Sequence, residues 1–353
     1  MSGVRILLTG AAGFIGTATW KLLVAEGHDV VGVDLLLPEA HGRATREDPP
    51  VAVHVLDVRK AHHWSELLDG VDVVVHLAAM VGAGASATDL PLYAKHNDLG
   101  TAALLAAMHA HRVGRFVQAS SMVVYGEGRY TCPEHGDRVP APRTAAALDV
   151  GEFDAPCPVC GGPLDWGLVE ESAPLDPRSS YAVSKVAQEG YASAWARQAP
   201  GAAVSLRYHN VYGPGMPRDT PYSGVAAMFR SSLERGEPPE VYEDGRQMRD
   251  FVHVSDVARA NLAAALAVGG YAPGRHEAFN VCSGHPVSIA QVAGFVAEGS
   301  GSGVEPRLTA RYRIGDVRHV VASPQRASEV LGFTARVRPE QGLADFASAP
   351  LRA

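Results

Sequence analysis

Cysteine is scarce in this chain, with four residues in 353. A fold stapled by disulfides carries many more, so a reducing compartment is the default. There, cysteines spaced by two residues more often bind metal than pair with each other. No run reaches the roughly 18 apolar residues of a membrane span. The opening segment, MSGVRILLTG, enters a strand at once and shows no long apolar stretch with a cleavage site. A cytoplasmic protein with no membrane partner is therefore expected. Positive charge is also in deficit, with 31 Lys and Arg against 38 Asp and Glu and a formal charge of −7. That balance gives no general attraction to nucleic acid. The rest is ordinary for a globular protein, 46% apolar and 20% charged, in a chain long enough for a large core and two lobes.

The first third alternates short apolar runs with helical stretches. Residues 4–8, 30–33, a weaker 53–55, 71–77 and 115–119 read as strands, and 14–26 and 99–111 as helices. Continuous Val/Ile/Leu strands separated by helices imply a parallel sheet covered on both faces. Between Gly126 and Arg178 the pattern breaks into Pro, Gly, Arg and acidic residues. A structureless loop of that length would be unusual, so something else must order it. A helix over 181–197 and a strand over 204–207 follow. From Gly213 the units become shorter and richer in proline, and the last ten or so residues read as a loosely held tail.

LLTGAAGFIG places Gly10, Gly13 and Gly16 directly after the first strand, with Phe14 and Ile15 opening a helix. Glycine there permits a tight turn, close approach of the backbone to a pyrophosphate, and close helix–strand packing. The helix N-terminus then faces the phosphates. Asp34 ends the second strand in VVGVD, where a carboxylate accepts hydrogen bonds from an adenosine ribose. Leu35 and Leu36 follow, without an arginine for a 2′-phosphate, which favours NAD over NADP. LDV places Asp57 and Val58 near the adenine, and HLAA ends a further strand with Leu77, Ala78 and Ala79 beside the cofactor. The fold class expected is α/β, a Rossmann-type doubly wound parallel sheet with a smaller C-terminal α/β substrate lobe.

SSYAVSK carries Tyr181 and Lys185 one helical turn apart on one face. Upstream, QASSMVVYG offers Ser120 and Ser121 after a strand. These groups suit oxidation of an alcohol. Tyr181 takes the hydroxyl proton, with Lys185 and the nicotinamide charge favouring its phenolate. Ser121 hydrogen-bonds the same oxygen as it becomes a carbonyl.

With these motifs the chain resembles the extended short-chain dehydrogenase/reductase family, in particular its NAD-dependent nucleotide-sugar epimerases. The resemblance implies Ser121, Tyr181 and Lys185 as the catalytic residues. It implies that Asn97, in HND, supports the cofactor site from the helix after the fourth strand. It implies substrate contacts from Asn210 in RYHNVYGPG, Arg249 in RDFVHVSDVA, and Arg313 and Asp316 in RIGD. In the family's 4,6-dehydratases Asp-Glu follows the serine, and its decarboxylases keep the Glu. Here Met122 and Val123 stand in those places, which disfavours both reactions. Reversible oxidation at the sugar C4 remains, with a ketoreductase using the same residues as the rival and a silent sugar-nucleotide sensor as a reading from another class. The family usually dimerises through two helices, here 99–111 and 181–197, so a homodimer is expected.

Three of the four cysteines lie in CPEHG and CPVCGG. Cys132 and His135, then Cys157 and Cys160 after 21 intervening residues, have zinc-ribbon spacing. A closed site of this kind is structural and orders a segment poor in apolar residues. A redox pair of Cys157 and Cys160, or zinc held by three cysteines and a group other than His135, are the alternatives. Cys282 reads as a buried apolar residue. The expected divisions are 1–126 with 176–210 for NAD, 127–175 for the Cys/His flap, and 211–353 mainly for substrate, with some segments returning to the first domain. The flap is expected at the rim of the active site, where it shapes or covers the sugar pocket. Bacterial dTDP-L-rhamnose 4-epimerases resemble the chain in carrying such an insertion, which gives a deoxysugar nucleotide a slight preference over UDP-hexoses and UDP-uronates. Arg143, Arg178 and Arg218 are left without a role.

Overall fold

Ile6, Leu7 and Leu8 have no exposed surface, as a strand covered on both faces requires. In the computed structural model, which describes residues 3–41, 47–82, 84, 86–218 and 224–352, that run is β1 (Arg5–Thr9). The other strands of its sheet are β2 (Asp29–Asp34), β3 (His54–Val55), β4 (Val73–His76), β5 (Arg115–Ser121), β6 (Ala202–Tyr208) and β7 (His276–Val281). All seven run parallel in the order β7-β6-β5-β4-β1-β2-β3. β1 pairs on one edge with β2 and on the other with β4. The order therefore reverses at β1, and a crevice opens beyond the carboxyl ends of β1 and β4.

Helices cover both faces. On one side α1 (Phe14–Ala25) and α4 (Val254–Ala267) pack Leu23, Val257, Ala260 and Ala264 onto Leu8, Val75 and Phe279. On the other, α2 (Leu99–Ala110) and α3 (Ser180–Gln198) pack Leu104, Met108, Ala192 and Trp195 onto Leu7, Val74 and Phe116. Both β7 and α4 come from beyond Gly213, so residues 254–281 return to the first sheet. A separate apolar core built around Tyr212, Phe229, Val292, Val296 and Phe346 holds the smaller lobe together.

Two stretches differ from the sequence reading. β5 continues to Ser121, because pairing with β6 runs on to Ser121 opposite Tyr208. The C-terminus is not a loose tail. A short helix, Pro339–Phe346, buries Leu343 and Phe346, and the backbone of Pro350 and Arg352 pairs with Gly215, Met216 and Arg218. Eight residues are too few to show helical periodicity.

Between β5 and α3 the irregular stretch is ordered. Arg129–Cys132 lies between Gly136–Arg138 and Asp165–Gly167 in a small antiparallel sheet. A helical turn, Ala145–Asp149, is capped by the Thr144 hydroxyl. Among the described residues no helix is long and apolar enough to cross a membrane.

Candidate active site

The turn after β1 is tight for a steric reason. Gly10 has φ +70°, and a Cβ there would lie 2.6 Å from the Ala78 amide nitrogen. A Cβ on Gly16 would lie 1.9 Å from the Gly10 carbonyl oxygen, so α1 can start against the turn only with glycine at that position. Above this turn is a cavity of about 370 Å³. Gly10, Gly13, Phe14, Ile15, Gly16, Asp34, Asp57, Val58, Leu77, Ala78 and Ala79 all line it. Asp34 ends β2 with its carboxylate accepting from the amides of Ala12 (3.1 Å) and Leu36 (2.9 Å), and His41 Nε2 lies 3.2 Å away. Burial pushes its pKa up, but the His41 contact and the two amides outweigh this, and the carboxyl stays below its usual value. Asp57 faces the same space while gripping the Arg59 guanidinium.

The opposite wall comes from β5 and α3. The Ser179 hydroxyl caps α3 by accepting from the Ala182 amide, and the Ser180 hydroxyl donates to the Gly84 carbonyl at 3.0 Å. These contacts fix where the helix starts, and so where Tyr181 and Lys185 face the cavity. The Lys185 ammonium donates to the Ala119 carbonyl at 2.9 Å and lies 5.8 Å from the centre of the Tyr181 ring. Burial pushes Lys185 down to about 7, with Glu189 acting the other way. Near neutral pH this amine can therefore carry or release a proton. Ser121 is outside the lining, with Ser120 in its place, yet its side chain hydrogen-bonds that of Tyr181.

Desolvation pushes the Tyr181 hydroxyl well above the usual tyrosine range, and Ser121 offsets only part of this. The chain's own surroundings thus favour the protonated phenol, and the expected nicotinamide charge would act against them.

Asn97 does not line the cavity. It is fully buried in a widened π-type turn, Ala94–Asp98, that leads into α2. Its Oδ1 accepts from the Met80 amide at 2.7 Å, and its Nδ2 donates to the Met80 carbonyl (3.0 Å) and the Ser184 hydroxyl (2.9 Å). It thereby ties the loop after β4 to α3 and acts on the site through its neighbours. Two lining residues had no signal in the sequence. His41 is brought in by its contact with Asp34. Arg352, almost at the C-terminus, reaches back to donate to the Ala12 carbonyl at 3.0 Å.

Asn210 also borders a second cavity of about 570 Å³, lined by Arg249, Arg313 and Asp316 among others. The two cavities share Asn210 and Val225, so they form one continuous wall. The Arg249 guanidinium donates to the carbonyls of Met248, Val317 and Arg318 at 2.7–2.9 Å. Arg313 lies over the Tyr242 ring, 5.1 Å from its centre. Burial raises the pKa of Asp316.

The stretch from 127 to 175 brings Cys132, His135, Cys157 and Cys160 together, with all four ligand atoms within 4.8 Å of one another. Cys132 Sγ lies 3.5 Å from His135 Nδ1 and 3.8 Å from Cys160 Sγ, and Cys157 Sγ lies 3.9 Å from His135 Nδ1. A tetrahedron with metal–sulfur bonds of ~2.3 Å has edges of about 3.8 Å. Backbone amides of Cys160 and Val159 approach Cys157 and hold its thiol down to about 7. None of residues 127–175 lines either cavity. The segment stands behind the second cavity, which corrects the expected place at the rim of the sugar pocket.

Comparison with known proteins agrees with this geometry. The profile of the NAD dependent epimerase/dehydratase family matches residues 6–145 and 162–282 and passes over the segment that holds Cys157 and Cys160. The chain is 34% identical to the dTDP-L-rhamnose 4-epimerase of Burkholderia thailandensis, over 98% of this chain and 94% of that protein. The structure of the Thermus thermophilus UDP-glucose 4-epimerase in complex with NAD superposes with a TM-score of 0.74, at 30% identity and 98% coverage of both chains. The Thermotoga maritima UDP-glucose 4-epimerase with UDP-glucose gives 0.76 at 28% identity, covering 98% of this chain and 97% of that one.

Asn97→Ala removes all three side-chain bonds and leaves both Met80 backbone groups buried without a partner. Stability should fall by about 2–4 kcal/mol in denaturant unfolding. A loss below about 0.5 kcal/mol would show that the turn does not depend on this amide.

Proposed function

The chain belongs to the NAD-dependent epimerase/dehydratase family, and from that membership we propose that it is an NAD-dependent nucleotide-sugar 4-epimerase. The observation that carries this reading is that Tyr181 and Lys185 share one cavity wall, with Ser121 beside the tyrosine. Met122 and Val123, which transfer no proton, occupy the two positions after Ser121. Such a site can oxidise and reduce a carbinol carbon, and it lacks the acid and base needed to expel water.

NAD suits the first cavity. The glycines allow the backbone to approach a pyrophosphate, and the Asp34 carboxylate keeps its charge for the adenosine ribose. When bound, NAD supplies the hydride acceptor and donor. Tyr181 moves the proton of the sugar 4-hydroxyl and returns it once the ring presents its other face. Its raised pKa means that a proton must leave it first, and Lys185, poised near neutral and fixed on the Ala119 carbonyl, sits one turn away to assist. Ser121 orients the tyrosine hydroxyl and stabilises the oxygen as it becomes a carbonyl. Asn210, at the junction of the two cavities, is where sugar and nucleotide meet. Arg249, Arg313 and Asp316 serve the nucleotide end. Similarity to the dTDP-L-rhamnose 4-epimerase over nearly the whole chain supports a dTDP-deoxysugar substrate.

Zinc is the metal that fits the Cys/His cluster, because its edge lengths match a tetrahedral ion. Four protein ligands leave no open position, so its role is structural. Twofold association through α2 and α3 is supported by exposed Leu99, Val183 and Tyr191 on those helices.

Incubated with dTDP-L-rhamnose and UDP-sugars, the protein should give mixtures of C4 epimers by NMR. Tyr181→Phe should keep nucleotide binding and lose turnover by about 100-fold or more. A net reduced product, formed with NADPH consumption, overturns the epimerase reading. Metal analysis should find one zinc per chain, and Cys157→Ser should lose it while keeping NAD binding, since the main sheet has its own core. Full zinc content in that variant would rule out the proposed ligand set. Light scattering at micromolar concentration should give the mass of a dimer, and a monomer mass rejects the α2–α3 interface.

A further inference from the structure

The Cys/His segment touches neither cavity, yet it grips the strand-like stretch that forms one wall of the second. The grip begins at Tyr312, whose hydroxyl donates to Asp149 at 2.5 Å. Arg318 is 1% exposed. Its guanidinium binds Asp154 at 2.7 Å, and its amide donates to Glu127 at 2.7 Å. The His319 amide donates to the Tyr130 hydroxyl at 3.1 Å. Val169 exchanges backbone hydrogen bonds with Val321 and Ser323. Between these points lie Arg313, Asp316 and Val317, which face the cavity.

At the centre of the grip is Arg143, which the sequence left without a role. Its side chain is 5% exposed, and Nη1 binds both carboxylate oxygens of Glu243 at 2.9 Å and the Phe153 carbonyl at 3.2 Å. Its Nη2 donates to the Asp316 carbonyl at 2.6 Å. Glu243 and Asp316 come from two neighbouring segments of the cavity wall, joined by the Glu243 amide on the Arg311 carbonyl at 2.8 Å, and both line it. Glu243 has φ +54°, a left-handed backbone that glutamate adopts only under constraint, and Arg318 holds its carboxylate from the other side at 2.9 Å. One guanidinium from the insertion thus ties two segments of the cavity wall together without itself lining the cavity.

We propose that Arg143 is a positioning residue for nucleotide binding, through which the Cys/His insertion holds the shape of one wall of the second cavity. The assignment rests on that cavity holding the nucleotide of the substrate. The insertion is then a brace on nucleotide affinity rather than a lid over the sugar, and the chemistry at Tyr181 is insensitive to it once substrate is bound.

The test uses calorimetry with UDP and dTDP as probes, beside steady-state kinetics with the sugar nucleotide that turns over. Arg143→Met leaves Glu243 paired with Arg318, so no buried charge is stranded. Nucleotide affinity should weaken about tenfold and KM rise by a similar factor, while kcat, NAD affinity and zinc content stay at wild-type values. Arg143→Lys keeps the charge on Glu243 but loses the fork to Asp316, and should recover part of the affinity. Tyr312→Phe, at a half-buried side chain, removes a separate point of the grip and should weaken binding about threefold in the same direction. It decides the matter if Arg143→Met does not fold. Unchanged nucleotide affinity in the variants, or a fall in kcat with KM unmoved, overturns the role of Arg143 and leaves the cavity assignment standing. Failure of the wild-type protein to bind either probe overturns the cavity assignment, and this inference with it.

Discussion

The site depends on burying a polar helix face. The inner side of α3 presents Ser180, Ser184, Lys185, Gln188 and Glu189 to the sheet, all of them buried. None of these can be left without partners in the interior. Gln188 donates to Thr101, Ser184 accepts from Asn97, and Glu189 accepts from Ser120 at 2.5 Å and from Arg207 through two nitrogens at 2.8 and 3.0 Å. Arg207 reaches on to Tyr125, which donates to Asn280. The helix that carries the reactive tyrosine and lysine is thus fixed in rotation and in height by directional bonds to four other segments. Apolar packing by Ala192 and Trp195 adds burial but could not select one rotation among several.

That constraint has a chemical cost with a use. The same burial that fixes Lys185 lowers its pKa to about 7, and the surroundings that fix Tyr181 raise its own. Two groups whose ordinary pKa values lie far from neutral are shifted in opposite directions, one into the working range and one away from it. The helix fixes their spacing, and desolvation is the largest cause of both shifts. Proton management at such a wall must come from whatever charge is brought beside Tyr181, since the protein's own groups do not ionise it.

The second lobe shows another division of labour. Part of its cavity wall is made from short strands and turns, and there ionic contacts hold the segments together. Arg318 meets Asp154, Glu243 and Asp244, while Arg143 meets Glu243. Each buried arginine has several acceptors, the condition under which an internal ion pair holds a geometry instead of weakening it. The insertion that supplies Arg143 and Asp154 also carries the clustered Cys132, His135, Cys157 and Cys160.

Much of this was legible in the sequence where a residue's role is local. Alternating apolar runs gave the parallel sheet, because a strand buried on both faces has to be apolar throughout. Gly10 and Gly16 could be read because backbone contact leaves no room for a side chain. Cys132, His135, Cys157 and Cys160 could be read because a metal tetrahedron demands pairs at short spacing. Tyr181 and Lys185 could be read because one helical turn puts them on one face. Contacts between distant segments carry no such signature. Asn97 turned out to be a tie between loop and helix, the Ser120 hydroxyl is held by Glu189, and Arg352 folds back to the first turn from the far end of the chain. Arg143 meets Asp316 across 173 positions of the sequence, and nothing in its flanking residues indicates the partner. Local chemistry and periodicity belong to the sequence. Which buried charge meets which is decided only when the tertiary fold brings the segments together, since a guanidinium accepts any well-placed carboxylate or carbonyl.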